Sequence, residues 1–354
     1  MRTCRLCQRL RDPIGTNTYL VGSQKPYILV DAAEGLESYI PILTSALRSS
    51  TATTNSSTPD VSDIIISHWH HDHVGGLPSV LSLLKSLWVG RNRGREAEYQ
   101  GPKLHKYPID KTKAGRHLGP QNILPNIEET LHKELYTAAP NGSTFHDLYD
   151  GQIFVDKGTV TTLLEVLHTP GHSVDSICLY LPVDRALYTA DTVLGHGTAV
   201  FEDLAVYMTS LDKMLKYNEK RDEAETNSRY DTLYPGHGAI LTNGPETIAT
   251  YIKHRLEREA QIMEVLRLPV PVELQSETED TDGRLERWTI WNLVRFIYKS
   301  YPESLWLPAT RSVHLHLKKL EGEGFVRCVG GEGKDTMWEL VVVIPSSLTT
   351  NLRL

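Results

Sequence analysis

Hydrophobic positions in the first two thirds of the chain come as short runs closed by polar or glycine-rich steps. Ile64-Ile65-Ile66 is an apolar β-branched run between polar residues, which predicts a buried strand. Residues 160–167 alternate between apolar and polar, and Ala186-Leu187-Tyr188-Thr189-Ala190 is again strand-like. The apolar stretch 77–87 follows Gly75-Gly76 and carries Pro78 near its start, where a fixed φ and a missing N–H suit the first turn of a helix. Residues 49–62 are rich in Ser, Thr and Asn and predict a loop leading into the 64–66 strand.

Helical spacing takes over after residue 243. Asn243-Gly244-Pro245 opens a helix with Ile248, Ile252, Leu256, Ala260 and Met263 on one stripe. Residues 275–283 are polar and read as a linker. Two apolar-periodic segments follow, 288–298 and one containing Val313, Leu317 and Leu320. Two strand-like runs, 325–329 and 337–343, are then joined through Gly330, Gly331 and Gly333. Helix, helix and hairpin make a winged-helix outline. Residues 286–339 hold eight Lys or Arg against seven acids. A nucleic-acid reader needs a basic footprint, so this unit is expected to act as a wall or lid rather than as a DNA reader.

The chemistry concentrates in His68-Trp69-His70-His71-Asp72-His73. In extended backbone, side chains two apart point the same way, so His68 and His70 can grip one ion while Trp69 turns into packing. The turn at Gly75-Gly76 frees Asp72 and His73 to face a second ion. His71 lies between assigned positions and is expected to point away. Further donors stand where strands become loops: His172 in Thr169-Pro170-Gly171-His172, Asp191 after the 186–190 run, and His237 in Pro235-Gly236-His237-Gly238. Five His and two Asp without a thiolate suit a pair of borderline or hard divalent ions, with zinc the default and manganese or iron the alternatives.

On these residues the sequence resembles the metallo-β-lactamase superfamily. The resemblance also includes Gly15-Thr16-Asn17-Thr18-Tyr19-Leu20, Ile28-Leu29-Val30-Asp31 and Thr189-Ala190-Asp191. Within it the chain is similar to the LACTB-like group, which holds an animal endoribonuclease and the thioesterases of fungal polyketide pathways. Residues 194–204 look like the fungal branch. The resemblance implies an α/β fold, an αββα sandwich, with residues 1–250 as catalytic domain, 251–285 as helix and linker, and 286–354 as a winged-helix-like domain. It implies His68, His70 and His172 on one metal, Asp72, His73 and His237 on the other, and Asp191 bridging. Asp31 is followed by Ala32-Ala33 where the family often has Thr-Gly, so any contact from that Thr is lost.

Composition changes this picture little. The 354 residues are 40% hydrophobic and 23% charged, enough for one large core and a smaller one. No apolar run reaches the length of a membrane span and no signal-peptide pattern opens the chain, so a cytoplasmic protein without a membrane partner is expected. Cys4-x-x-Cys7 has no second pair nearby and reads as reduced thiols, and Cys178 as core. Residues 91–116 are locally basic in a chain of formal net charge −7. That segment reads either as a solvated loop or as a docking patch for an anionic partner.

A paired-metal site makes a nucleophile at neutral pH and polarises the bond under attack, so hydrolysis is the expected reaction, with Asp72 and Asp191 orienting the nucleophile. His196 is a weak candidate for a general acid. A thiol leaves without one, since its pKa is about 8.5. The resemblance adds the substrate: release of an aromatic polyketide from the acyl carrier protein of a polyketide synthase. The alternatives are a metal-dependent endoribonuclease, supported in the sequence only by the basic segment, and a metal-binding accessory factor without turnover. Nucleic acid is not an expected partner.

Overall fold

A computed structural model describes residues 4–7, 15–49, 57–94, 98–109, 124–156, 161–219, 228–274 and 287–341. The chain divides into two units, residues 1–250 and 251–354. In the first, the order is β1 (Cys4–Cys7), β2 (Asn17–Val21), β3 (Tyr27–Val30), α1 (Tyr39–Arg48), β4 (Val61–Ile66), α2 (His71–Val74), α3 (Leu77–Arg91), β5 (Lys103–Lys106), α4 (Leu124–Thr130), β6 (Phe145–Asp147), β7 (Ile153–Val155), β8 (Thr162–His168), β9 (Ile177–Leu181), β10 (Ala186–Ala190), α5 (Leu204–Glu219) and β11 (Thr232–Pro235).

These strands form two sheets, six-stranded β1-β2-β3-β4-β5-β6 and five-stranded β11-β10-β9-β8-β7. Successive residues of a strand face opposite ways, and β4 shows what that does here. Ile64 and Ile66 join Leu29, Leu43, Leu47, Val80, Leu81 and Leu84 in a core between sheet and helices. Ile65 faces the other way and packs with Val30, Val166, Leu179 and Tyr188 between the sheets. On the second sheet, Cys178 turns outward and meets Met214 of α5. Helix, sheet, sheet, helix is the expected sandwich.

β3, β4, β5 and β6 run parallel to one another, as do β10 and β11. Their C-terminal ends carry the donor-bearing loops. One local difference from the sequence reading is α2: the chain coils into a single helical turn directly after His70, rather than waiting for Gly75-Gly76.

The unit boundary falls inside α6 (Gly244–Leu266), and the second unit continues with β12 (Trp288–Thr289), α7 (Ile290–Ile297), α8 (Trp306–Gly322), β13 (Val326–Gly330) and β14 (Met337–Leu340). Thr289 caps α7 by accepting the Asn292 N–H at 3.0 Å. Leu293, Val294, Val313, Leu317, Val326 and Trp338 form its core. The three strands pair in the order β12-β14-β13, giving the winged-helix outline. The linker expected at 275–283 lies outside the described residues. Among the described residues no helix is long and apolar enough to cross a membrane.

Candidate metal centre

His68 and His70 leave β4 on extended backbone, His70 at φ −63° and ψ 146°, before α2 folds His73 back beneath them. Trp69 between them is buried, and His71 is exposed, outside the cluster. His172 stands on the turn after β8. Gly171 at φ +129° lets this turn pass the backbone of Tyr207, where a Cβ would lie 2.3 Å from Tyr207 Cα. Asp191 follows Ala190, whose left-handed φ of 44° bends the chain at the end of β10. His237 lies just past β11, the parallel neighbour of β10. Asn17 holds that last turn, donating from Nδ2 to Pro235 O at 3.0 Å and to Gly238 O at 2.9 Å.

The seven candidates come together as two groups of donors. In the first, His172 Nε2 is 3.2 Å from His68 Nε2 and 2.9 Å from His70 Nδ1, and the latter two are 3.0 Å apart. Three mutually close ring nitrogens approximate a tetrahedral face, whose edge is about 3.3 Å for metal–nitrogen bonds of about 2.0–2.1 Å. In the second, His73 Nε2 lies 3.4 Å from both Asp72 Oδ2 and Asp191 Oδ1, while His237 Nε2 lies 3.0 Å from Asp72 Oδ2 and 3.3 Å from Asp191 Oδ2. Asp191 Oδ2 also stands 3.9 Å from His172 Nε2, so this carboxylate spans both groups. His73 Nε2 and Asp191 Oδ1 are buried without a hydrogen-bond partner. Such atoms are costly unless something satisfies them, and a divalent cation does. The donor set therefore suits a dinuclear metal site.

A fully buried Asp31 organises the layer behind these donors. Its carboxylate accepts Ser67 N–H at 2.7 Å, Ser67 Oγ at 2.8 Å, the Tyr188 hydroxyl, and His73 Nδ1 at 2.7 Å. With Nδ1 held by Asp31, Nε2 is the His73 nitrogen turned to the cluster. Ser67 Oγ is also 3.0 Å from His68 Nδ1, so one hydroxyl relays Asp31 to a second imidazole. His172 is set in the same manner by donating from Nδ1 to Val200 O at 2.8 Å. After Asp31, where Ala32-Ala33 stand, Ala32 N–H donates to His73 O at 2.8 Å, which ties this turn to α2.

Electrostatics divide the imidazoles into two kinds. Burial, with the neighbouring His73 and His172 charges, holds His68 well below its usual pKa, and burial with His172 lowers His70 to about 4. Both are therefore neutral at neutral pH, each keeping one ring N–H and offering the other nitrogen's lone pair. Burial opposes charge on His73 and His237 too, but carboxylates outweigh it. Asp31, Asp191 and Asp72 raise His73 well above its usual value, and hydrogen bonds to Asp191 and Asp72 raise His237 to about 9. Burial alone would raise the Asp72 and Asp191 carboxyls; the His73 charge and the His237 hydrogen bond hold both well below the usual carboxylate range.

Asp31 closes the Ile28-Leu29-Val30-Asp31 run, but nothing in that run marks it as the organiser of the site. Residues 91–116 read in sequence as one basic segment, and two members are not free for docking. Arg91 Nη1 is 2.5 Å from Asp60 Oδ2, and Lys106 is buried with Nζ 2.7 Å from Asp175 Oδ2. Residues 95–97 and 110–116 lie outside the described residues. Cys4 and Cys7 stand in β1. His196 is exposed on the loop whose Gly195 N–H donates to His237 O.

Comparison with known proteins agrees with this architecture. Residues 11–237 match the metallo-beta-lactamase superfamily and residues 289–338 match the beta-lactamase associated winged helix domain. The chain is 32% identical over 314 residues to the beta-lactamase-like protein 2 homolog of Drosophila melanogaster, covering 88% of this chain and 84% of that one. It is 28% identical over 291 residues to the atrochrysone carboxyl ACP thioesterase of Aspergillus chevalieri, covering 82% and 70%. Its fold is similar to that of a beta-lactamase domain protein from Burkholderia ambifaria, with TM-score 0.59 at 17% identity over 96% of this chain and 91% of that one. With the sandwich, the two donor groups and a family match over more than half its length, the chain belongs to the metallo-beta-lactamase superfamily and carries a beta-lactamase associated winged helix domain.

Proposed function

We propose that the protein is a dinuclear metal-dependent hydrolase that releases an acyl group, an aromatic polyketide in the first instance, from the thioester of an acyl carrier protein. The observation that carries the hydrolase reading is the shared carboxylate: Asp191 faces His73 and His237 with its two oxygens and reaches His172 as well. His68, His70 and His172 would hold one divalent ion, Asp72, His73 and His237 the other, and Asp191 would touch both, with zinc the default and manganese or iron the alternatives. Bound there, the ions supply Lewis acidity and a nucleophile at neutral pH.

The remaining work falls to this chain's own groups. Asp72, about one third exposed, is the carboxylate most open to solvent. Thr16 Oγ1 lies 3.4 Å from its Oδ2 and orients it, so a free Asp72 oxygen can accept a proton from the attacking water. Asp191 fixes the two donor groups relative to each other. His196 is not needed as a strong acid when the leaving group is a thiolate.

The thioester reading rests on the fungal thioesterase relative. The fly relative is more similar, at 32% against 28% identity, and its name states no substrate. RNA cleavage, the alternative drawn from the sequence, is the outcome to test against. Arg91 and Lys106, both engaged in ion pairs, no longer support an RNA-binding patch. Intact-mass measurement of a polyketide-loaded carrier, with and without the metal-replete enzyme, decides: loss of the acyl mass is expected. A carrier that stays loaded at stoichiometric enzyme, with metal-dependent cutting of single-stranded RNA, replaces the thioesterase by a ribonuclease.

A further inference from the structure

The loop carrying His172 belongs to the second sheet, yet it must meet two imidazoles that leave the first. Within itself this loop is well tied: Thr169 N–H to Ser176 O at 2.9 Å, Gly171 N–H to Ser173 O at 3.0 Å, Ser173 Oγ to Asp175 Oδ1 at 2.8 Å. Those bonds make it a rigid turn, and Ile177 N–H, donating to Ser67 O at 3.0 Å, ties its far end to the residue before His68. Lys106, the last residue of β5, and Tyr107 after it add side-chain contacts from the first sheet. Lys106 sends Nζ to Asp175 Oδ2 at 2.7 Å, with both side chains buried. Tyr107 stacks on His168 with centroids 3.6 Å apart and rings 6° from parallel. Lys106 is the cross-strand partner of Ile66, two residues before His68. One clamp therefore grips the loop on both sides of His172 and is anchored beside the strand that delivers His68 and His70.

A buried ion pair is poor value for stability, because desolvation offsets much of the attraction. What it provides is direction: Asp175 is fully buried and its charge requires a cation at one place. We propose that Lys106, paired with Asp175, is a positioning residue for the metal centre, setting the His172 loop so that its Nε2 closes the triangle with His68 and His70. This rests on the metal reading above. It assigns to Lys106 a task inside the fold in place of the solvated-loop or docking role read from its basic segment.

The test uses the full-length protein loaded with Zn²⁺, with affinity read by competition against a chromophoric chelator and coordination read from the visible spectrum after Co²⁺ substitution. Lys106→Met is expected to weaken one of two sites by roughly 10–100-fold, the usual effect of losing a group that orients a ligand, and to alter the cobalt spectrum. Because that variant strands a buried carboxylate, Lys106→Met/Asp175→Asn is measured beside it; the neutral pair keeps an acceptor for Ser173 and removes the bare charge. If the double variant melts near wild type yet still binds the weakened ion poorly, the pair positions His172. If it regains both melting temperature and wild-type affinity, or if Lys106→Met lowers only the melting temperature, the pair is a stability feature and the proposal fails. His172→Ala is the control for the underlying reading: should wild type and His172→Ala take up the same amount of metal, the ligand assignment fails first, and with it the role of Lys106.

Discussion

Asp31 and His73, 42 positions apart, meet at 2.7 Å with neither side chain exposed to solvent. The carboxylate fixes which nitrogen of His73 carries the proton, and so which one is offered to a metal. Asp31 sits at φ 58°, a left-handed conformation that costs about 1–2 kcal/mol in a residue with a Cβ. The four donors that converge on its side chain hold it there.

Replacing Asp31 by Asn turns one acceptor into an N–H facing donors. Metal affinity is expected to fall roughly 10–100-fold, first at the group containing His73, and stability by about 1–3 kcal/mol for the donors left unpaired. Elemental analysis after dialysis and a thermal melt of the metal-free protein check the two parts separately. Full metal retention in Asp31→Asn would remove Asp31 from the account.

Gly236, directly after β11, stands against the cluster: a Cβ there would lie 2.4 Å from Asp191 Oδ1 and 3.0 Å from His73 Cε1. Its φ is not left-handed, so the objection to a side chain is space alone. Gly236→Ala is expected to keep the far-ultraviolet circular dichroism of the wild type while losing one metal per chain and more than about tenfold in hydrolysis. Wild-type metal content in this variant would mean that Asp191 and His73 can move apart without consequence.

How much of this was legible in sequence follows from distance along the chain. The His68 to His73 cluster declares itself because six consecutive residues hold most of its donors at close spacing, and His172, Asp191 and His237 are legible as polar residues just past strand ends. The role of Asp31 is not legible in sequence, because its donors, Ser67, His73 and Tyr188, come from segments that only the tertiary fold brings together. Lys106 was misread for the same reason. A run of cations looks solvated in one dimension, whereas the parallel pairing of β4 and β5 places Lys106 opposite Ile66 and turns it into the interior. The early coil at His71 was hidden because a Gly-Gly pair nearby offered a more obvious place to turn.

The second unit carries its own charge test. Glu259 accepts Lys319 Nζ at 2.9 Å and faces His316 Nδ1 at 3.5 Å. Burial acts to raise its carboxyl, but hydrogen bonds from His316 and Lys319 outweigh that and lower it. A depressed folded-state pKa gives stability that is present above the ordinary glutamate value of about 4.3 and is lost as pH falls through the folded value. Glu259→Gln should therefore melt below wild type at neutral pH, and the gap should close as the pH is lowered past about 4. A gap that stays constant from pH 7 to 3 would show that the ion pair contributes nothing through its charge.

The central claim, two divalent ions held by seven side chains, is tested most directly by counting metal per chain in wild type, His172→Ala and His237→Ala after identical reloading and desalting. The account predicts two ions in the wild type and one in each variant, with hydrolysis lost in both. One ion in the wild type, unchanged in both variants, would contradict it.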